Sequence, residues 1–173
     1  MTIYSRYFRN EKKMMNQTIV IGLGNPLMGD EGIGIVLIEK LEALARQGKI
    51  PKAEGIRFHE GGVGGMNLLH AIAGWKRAIL IDCALMGAEP GTICRFTPQQ
   101  VQSIKKLSHL SLHEVDILKV IEIAKQLDEC PEQIVFFGVQ PLEIIQWMEL
   151  SDVLKSQIDR YVQTILNEIN QPF

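Results

Sequence analysis

The chain has 173 residues, 46% of them hydrophobic and 22% charged, with 18 Lys plus Arg against 20 Asp plus Glu for a net charge of −2. That length suits one domain of about 100–200 residues, able to bury a core without disulfides or structural metal. The balanced charge argues against a nucleic-acid or anionic-membrane partner, and no apolar run approaches the roughly 20 residues that cross a bilayer.

Residues 1–16 carry Arg6, Arg9, Lys12 and Lys13 with no apolar stretch or cleavage site after them, so a secretory signal is not expected. They read as a polar extension, which need not be ordered, ahead of a single α/β domain over 17–173. Thr18 to Gly22 (TIVIG) is a continuous apolar run, the pattern of a strand buried on both faces. From Asp30 the period changes. Ile33, Leu37, Leu41 and Leu44 share one helical face, and Gly48 with Pro51 marks the stop. A short strand over Ile56 to His59 leads into a glycine loop, Glu60 to Gly65, and a helix over Met66 to Trp75.

Ala78 to Asp82 (AILID) is a second buried strand, and Thr92 to Phe96 a shorter one after the Pro90-Gly91 turn. The polar stretch Thr97 to Ser108 holds one short helix. A helical stripe then runs from His113 through Ile117, Val120, Ile121, Ala124 and Leu127. Ile134 to Val139 (IVFFGV) is the third strong strand. The last helix starts near Ser151 as N-cap and buries Leu154, Ile158, Tyr161, Ile165 and Ile169.

Strands alternating with helices imply an α/β three-layer sandwich: a mostly parallel, mixed, five-stranded sheet with helices on both faces. Thr92 to Phe96 follows its neighbour too closely for a helical crossover and is expected to run antiparallel. Sites in such folds form beyond the carboxyl ends of the parallel strands. That rule selects Gly22 to Glu31, Glu60 to Gly65, Asp82 to Gly87 and Gly138 to Pro141.

Each segment has a bland reading beside a functional one. Gly22-Leu23-Gly24 begins like a dinucleotide fingerprint, but the third glycine position holds Leu27 and no Walker lysine follows, so the segment departs from both nucleotide-binding patterns. A tight strand-to-helix turn, with Asp30 and Glu31 favoured by the helix dipole, accounts for the acids but not for the glycines. A carboxylate at the buried strand end, Asp82, is costly unless solvated, hydrogen-bonded or cation-bound, and is either a loop cap or a ligand and acid/base group. Cys83, next in an extended chain, should point the opposite way, into the core. His113 opens a helix, and His109, four residues earlier, is the rival ligand. Glu31, Asp82 and His113 together would suit a borderline divalent metal such as zinc, nickel or cobalt. No GxSxG elbow is present. Cys83, Cys94 and Cys130, odd in number and without CxxC spacing, fit a reducing, cytoplasmic compartment.

Ile21 to Gly34 (IGLGNPLMGDEGIG) resembles the opening motif of the maturation endopeptidases of nickel–iron hydrogenases. Glu60-Gly61-Gly62-Val63-Gly64-Gly65, Ile81-Asp82-Cys83-Ala84, Ser111-Leu112-His113-Glu114 and Phe137-Gly138-Val139-Gln140-Pro141 resemble four further elements of that family, in family order. The resemblance implies an endopeptidase, often classed as aspartic-type, that removes the C-terminal extension of a nickel-loaded hydrogenase large-subunit precursor. It implies Glu31, Asp82 and His113 as metal contacts, with the nickel supplied by the precursor. Glu31 and Asp82 are the expected catalytic carboxylates, and Glu60, Gly61 and Gly62 the substrate-binding loop. The family's loop commonly begins with aspartate where this chain has Glu60. The alternative is a nickel-binding accessory or delivery protein without hydrolytic activity.

Overall fold

The structure, a computed structural model, describes residues 17–51, 53–105 and 112–172, with the side chains of 102–105 and 112–116 outside the description. The polar extension over 1–16 and His109 therefore lie outside the described residues.

The apolar runs form the sheet. β1 (Thr18–Leu23), β2 (Ile56–Gly62), β3 (Arg77–Cys83), β4 (Ile93–Phe96) and β5 (Gln133–Val139) make, among the described residues, one five-stranded sheet in the order β2-β1-β3-β5-β4. β1 pairs in parallel with both β2 and β3, β3 with β5 likewise, and β4 runs antiparallel to β5. The mixed sheet matches the reading from sequence, including the reversed fourth strand.

β1, β3 and β5 are buried on both faces because helices cover both. The pleat sends alternate side chains into two separate cores. Val20, Ile79, Ile81, Cys83, Phe137 and Val139 pack with helix α1 (Ile33–Arg46) and the C-terminal helices α5 (Asp152–Lys155) and α6 (Ile158–Ile169). Ile19, Ile21, Leu23, Leu80 and Phe136 pack on the other side with α2 (Asn67–Ile72), α3 (Pro98–Lys105) and α4 (Leu112–Gln126).

Three elements differ from the sequence reading by more than a residue at either end. β2 runs on through Gly62, because Gly61 enters as a bulge: Gly22 pairs with Glu60 but Leu23 pairs with Gly62. The helix expected over 66–75 stops at Ile72, where Ala73 turns extended and Gly74 adopts φ +79°. The last helix is two pieces. Ser151 caps the first as expected, its hydroxyl accepting from Leu154 N at 3.4 Å, and the chain re-enters helix at Ile158. Within α6, Glu168 is 3% exposed and accepts from both Arg77 and Arg95, tying the helix to β3 and β4.

Candidate active site

The parallel strands β1, β2, β3 and β5 all end on one edge of the sheet, and Glu31, Asp82 and the Glu60-Gly61-Gly62 segment sit there. Glu31 lies in a 3-10 turn, Gly29–Gly32, that joins β1 to α1. Asp82 is the penultimate residue of β3. Two glycines press the turn onto the strand ends. Gly24 has φ +124°, and a Cβ there would lie 1.8 Å from the Glu31 carbonyl oxygen. A Cβ on Gly34 would lie 2.2 Å from the Leu23 carbonyl and 2.5 Å from that of Ile81, so α1 begins in direct contact with β1 and β3. Here is the reason for the glycines that a simple acidic turn left unexplained: they let the Glu31 turn abut the end of the Asp82 strand.

Asp82 is buried, and its Oδ1 accepts from the Cys83 amide at 2.8 Å, which fixes the carboxylate against its own strand end. The alternating pattern puts it on the face that α2 and α4 cover, while Cys83 points into the opposite core as expected. None of Cys83, Cys94 and Cys130 forms a disulfide.

His113 falls in the first turn of α4, with its side chain outside the description. Its place follows from connectivity. α4 has 15 residues, a length of roughly 22 Å, and only residues 127–132 separate it from the start of β5. The helix therefore runs back along the sheet, with its beginning at the carboxyl edge and on the face that carries Asp82. Among the described residues no group of three or more His, Cys, Asp and Glu side chains gathers as a metal site.

Glu60 stands apart from Asp82. It pairs with Gly22, and Gly22 with Ile81, so Glu60 shares the face of Ile81 while Asp82 belongs to the other. It is exposed on the edge strand β2, two strands and roughly 10 Å across from β3. Gly61 and Gly62 are part of β2 itself rather than of a free loop, and the Gly62 carbonyl accepts from Gly24 N at 2.8 Å.

Two further residues organise this edge and were not among the site residues expected from sequence. Asp30 is 1% exposed, and its carboxyl group accepts from Ser151 N (2.7 Å), Leu142 N (2.8 Å) and Ser151 Oγ (2.9 Å). It is a clamp between distant loops and makes no capping bond to α1, although it lies with Glu31 in the first turn of the 3-10 segment, where the dipole favours an acid. Gln140 is buried, and its Oε1 accepts from Met86 N at 2.7 Å and Ala88 N at 3.3 Å, holding the loop after β3 beside the end of β5. The Gln140-Pro141 pair gave the only hint in the sequence, and Asp30 gave none beyond its position before a helix.

Residues 35–168 match the model of the hydrogenase maturation protease family. The chain belongs to that family. It is accordingly a hydrolase of the peptidase class. The matched stretch includes Glu60, Asp82 and His113, and Glu31 lies four residues before it. Among similar proteins is a coenzyme F420 hydrogenase subunit delta from Methanothermobacter thermautotrophicus, 30% identical over 88% of this chain and 94% of that one. Another is the hydrogenase expression/formation protein HupD of Bradyrhizobium diazoefficiens, 30% identical over 76% of this chain and 66% of its own length. The chain thus spans about two thirds of that relative. Among solved structures, the hydrogenase maturating endopeptidase HybD from E. coli superposes with TM-score 0.76 at 24% identity, covering 88% of this chain and 91% of that one. The maturation protease HybD from Thermococcus kodakarensis gives 0.70 at 25% identity, over 90% and 99%.

Proposed function

We propose that this peptidase removes the C-terminal extension of a hydrogenase large-subunit precursor once nickel has been inserted, and that it works in the cytoplasm. The observation that carries the reading is the pairing of a buried strand-end carboxylate, Asp82, with a second acid, Glu31, on a turn that glycines press against the same strand. Three cysteines without a disulfide fit a reducing compartment.

Nickel belongs to the substrate in this scheme. Two carboxylates and an imidazole suit a borderline divalent ion, and Glu31, Asp82 and His113 are the residues that would contact it. That contact sets the register of the tail, so a precursor without nickel is not cut. Asp82 accepts a proton from a water as its oxygen attacks the scissile carbonyl carbon. The proton passes to the amide nitrogen as the carbon–nitrogen bond breaks, leaving a new carboxyl terminus and a free amine. Glu31 holds the bound precursor in place.

The test is mass spectrometry of a nickel-loaded large-subunit precursor before and after incubation. The expected result is one discrete loss of C-terminal mass, absent with Asp82→Asn and with Glu31→Ala. Full cleavage by Asp82→Asn refutes the assignment of the base, and equal cleavage of nickel-free precursor refutes the checkpoint. A precursor bound but never shortened by the unaltered protein would leave the nickel-binding accessory role instead.

A further inference from the structure

Between β5 and α5 the chain forms a strap over which residues 142–149 are all exposed. Five of these are large and apolar: Leu142, Ile144, Ile145, Trp147 (62% exposed) and Met148 (80%). Leu27, also exposed, lies beside them on the turn that precedes Glu31. Apolar side chains concentrated in this way on a surface mark an interaction site.

The strap is held open by the fold. Its two ends are pinned by the buried Asp30, through Leu142 N and through Ser151 N and Oγ. Its far part bridges to the β1–α1 segment, with Gly29 N donating to Trp147 O at 2.7 Å and Trp147 N to Leu27 O at 3.1 Å. A surface preorganised in this way loses little entropy when something covers it. Asp30 and Glu31 are adjacent, so the strap and the candidate site share one rigid turn.

Charge decides among occupants. From Pro141 to Leu154 the chain carries Glu143, Glu149 and Asp152 and no Lys or Arg. Lys155, the first cation after them, is engaged by Glu149. An acidic rim repels an anionic membrane, and it repels a second copy of itself placed face to face. It suits a protein surface that offers apolar side chains flanked by Lys and Arg.

We propose that the strap docks the folded body of the protein substrate, separately from the cleavage of its tail. This rests on the reading above that the substrate is a large-subunit precursor. The surface is continuous with the turn that bears Glu31, so the strap lies beside the place where a tail reaching Glu31 and Asp82 would emerge from its folded body. Docking there determines which precursor is accepted, while the carboxylates determine what is done to it.

The experiment measures precursor binding by calorimetry and cleavage by steady-state kinetics, with the nickel-loaded precursor from the same organism as probe. The protein is compared with its Trp147→Ser/Met148→Ser and Glu143→Lys variants, and melting temperatures verify that each variant is folded. The double variant is expected to weaken binding and raise KM by about tenfold or more with kcat held within about twofold. Glu143→Lys is expected to weaken binding at low salt and to lose most of that effect at high salt. Unchanged binding in the double variant overturns the proposal. So does a concentration-dependent dimer, or flotation with neutral phosphatidylcholine vesicles, that the double variant abolishes. If the unaltered protein binds the precursor through the strap but never shortens it, the cleavage reading fails and the docking surface stands.

Discussion

Replacing Asp30 with Asn should destabilise the protein by about 3 kcal/mol, although the two side chains are nearly isosteric. The magnitude follows from the donors. Oδ1 accepts from the Ser151 amide, and Oδ2 accepts from the Leu142 amide and the Ser151 hydroxyl. Asparagine has one acceptor oxygen. In one orientation its NH2 faces the Ser151 N–H, in the other the Leu142 N–H. Either way two donors meet at a position 1% exposed, where water cannot take the missing role. An unsatisfied buried donor costs about 1–3 kcal/mol, and the lost bond to a carboxylate about 1.5–3 kcal/mol before relaxation. For a protein of this length the net loss lowers the melting temperature by roughly 6–12 °C. Urea denaturation followed by circular dichroism measures it directly, with the m-value expected to be unchanged. A destabilisation below about 0.5 kcal/mol, the range of ordinary surface changes, would show that the clamp is not what holds the strap.

Glu168 gives the protein an acid-sensitive point. Burial pushes its carboxyl up, but hydrogen bonds and charge from Arg95 and Arg77 outweigh that and hold it below the usual range. A group with a depressed folded value stabilises fully above its unfolded value of about 4.3 and loses that contribution as pH falls through the folded one. Urea midpoints taken from pH 6 to pH 3 should therefore fall, and the part of the fall due to this group should vanish in Glu168→Gln. Identical slopes in the two proteins would contradict the linkage. At neutral pH Glu168→Ala removes the buried carboxylate to which Arg77 and Arg95 both donate and should cost about 3 kcal/mol or more. Gly24→Ala forces a side chain into φ +124° against the Glu31 carbonyl. It should destabilise by more than about 2 kcal/mol and reduce cleavage in step with the displacement of Glu31. A variant that melts within about 2 °C of the unaltered protein would mean that the turn relaxes freely.

The carboxyl edge of the sheet was legible because it depends on local patterns. Uninterrupted apolar runs such as TIVIG and AILID mark strands buried on both faces, and the alternation with helical stripes leaves a parallel sheet as the economical arrangement. Asp82 stood out for the same reason, as a charge where an apolar run ends, and so did the inward direction of Cys83, which the two-residue pleat dictates. Boundaries were less legible. β2 continues through a glycine bulge, and α2 ends early at Gly74, because pairing partners and available space decide where an element stops.

Some features depend on contacts that no local pattern contains. Asp30 meets donors 112 and 121 positions away, and Gln140 meets Met86 and Ala88 more than 50 positions back. Arg77 and Glu168 are 91 positions apart. Each is an ordinary polar residue in its own neighbourhood and becomes structural only when the chain folds back on itself. The separation of Glu60 from Asp82 is of the same kind, since strand register alone decides which face each one takes. The sequence by itself determined the layers, the strand directions and the edge where chemistry could gather, because period and composition act within a few residues. Tertiary structure alone decided which acids became clamps, which stayed at the site, and that the strap would be held out with its apolar side chains exposed, because those outcomes depend on groups brought together across most of the chain.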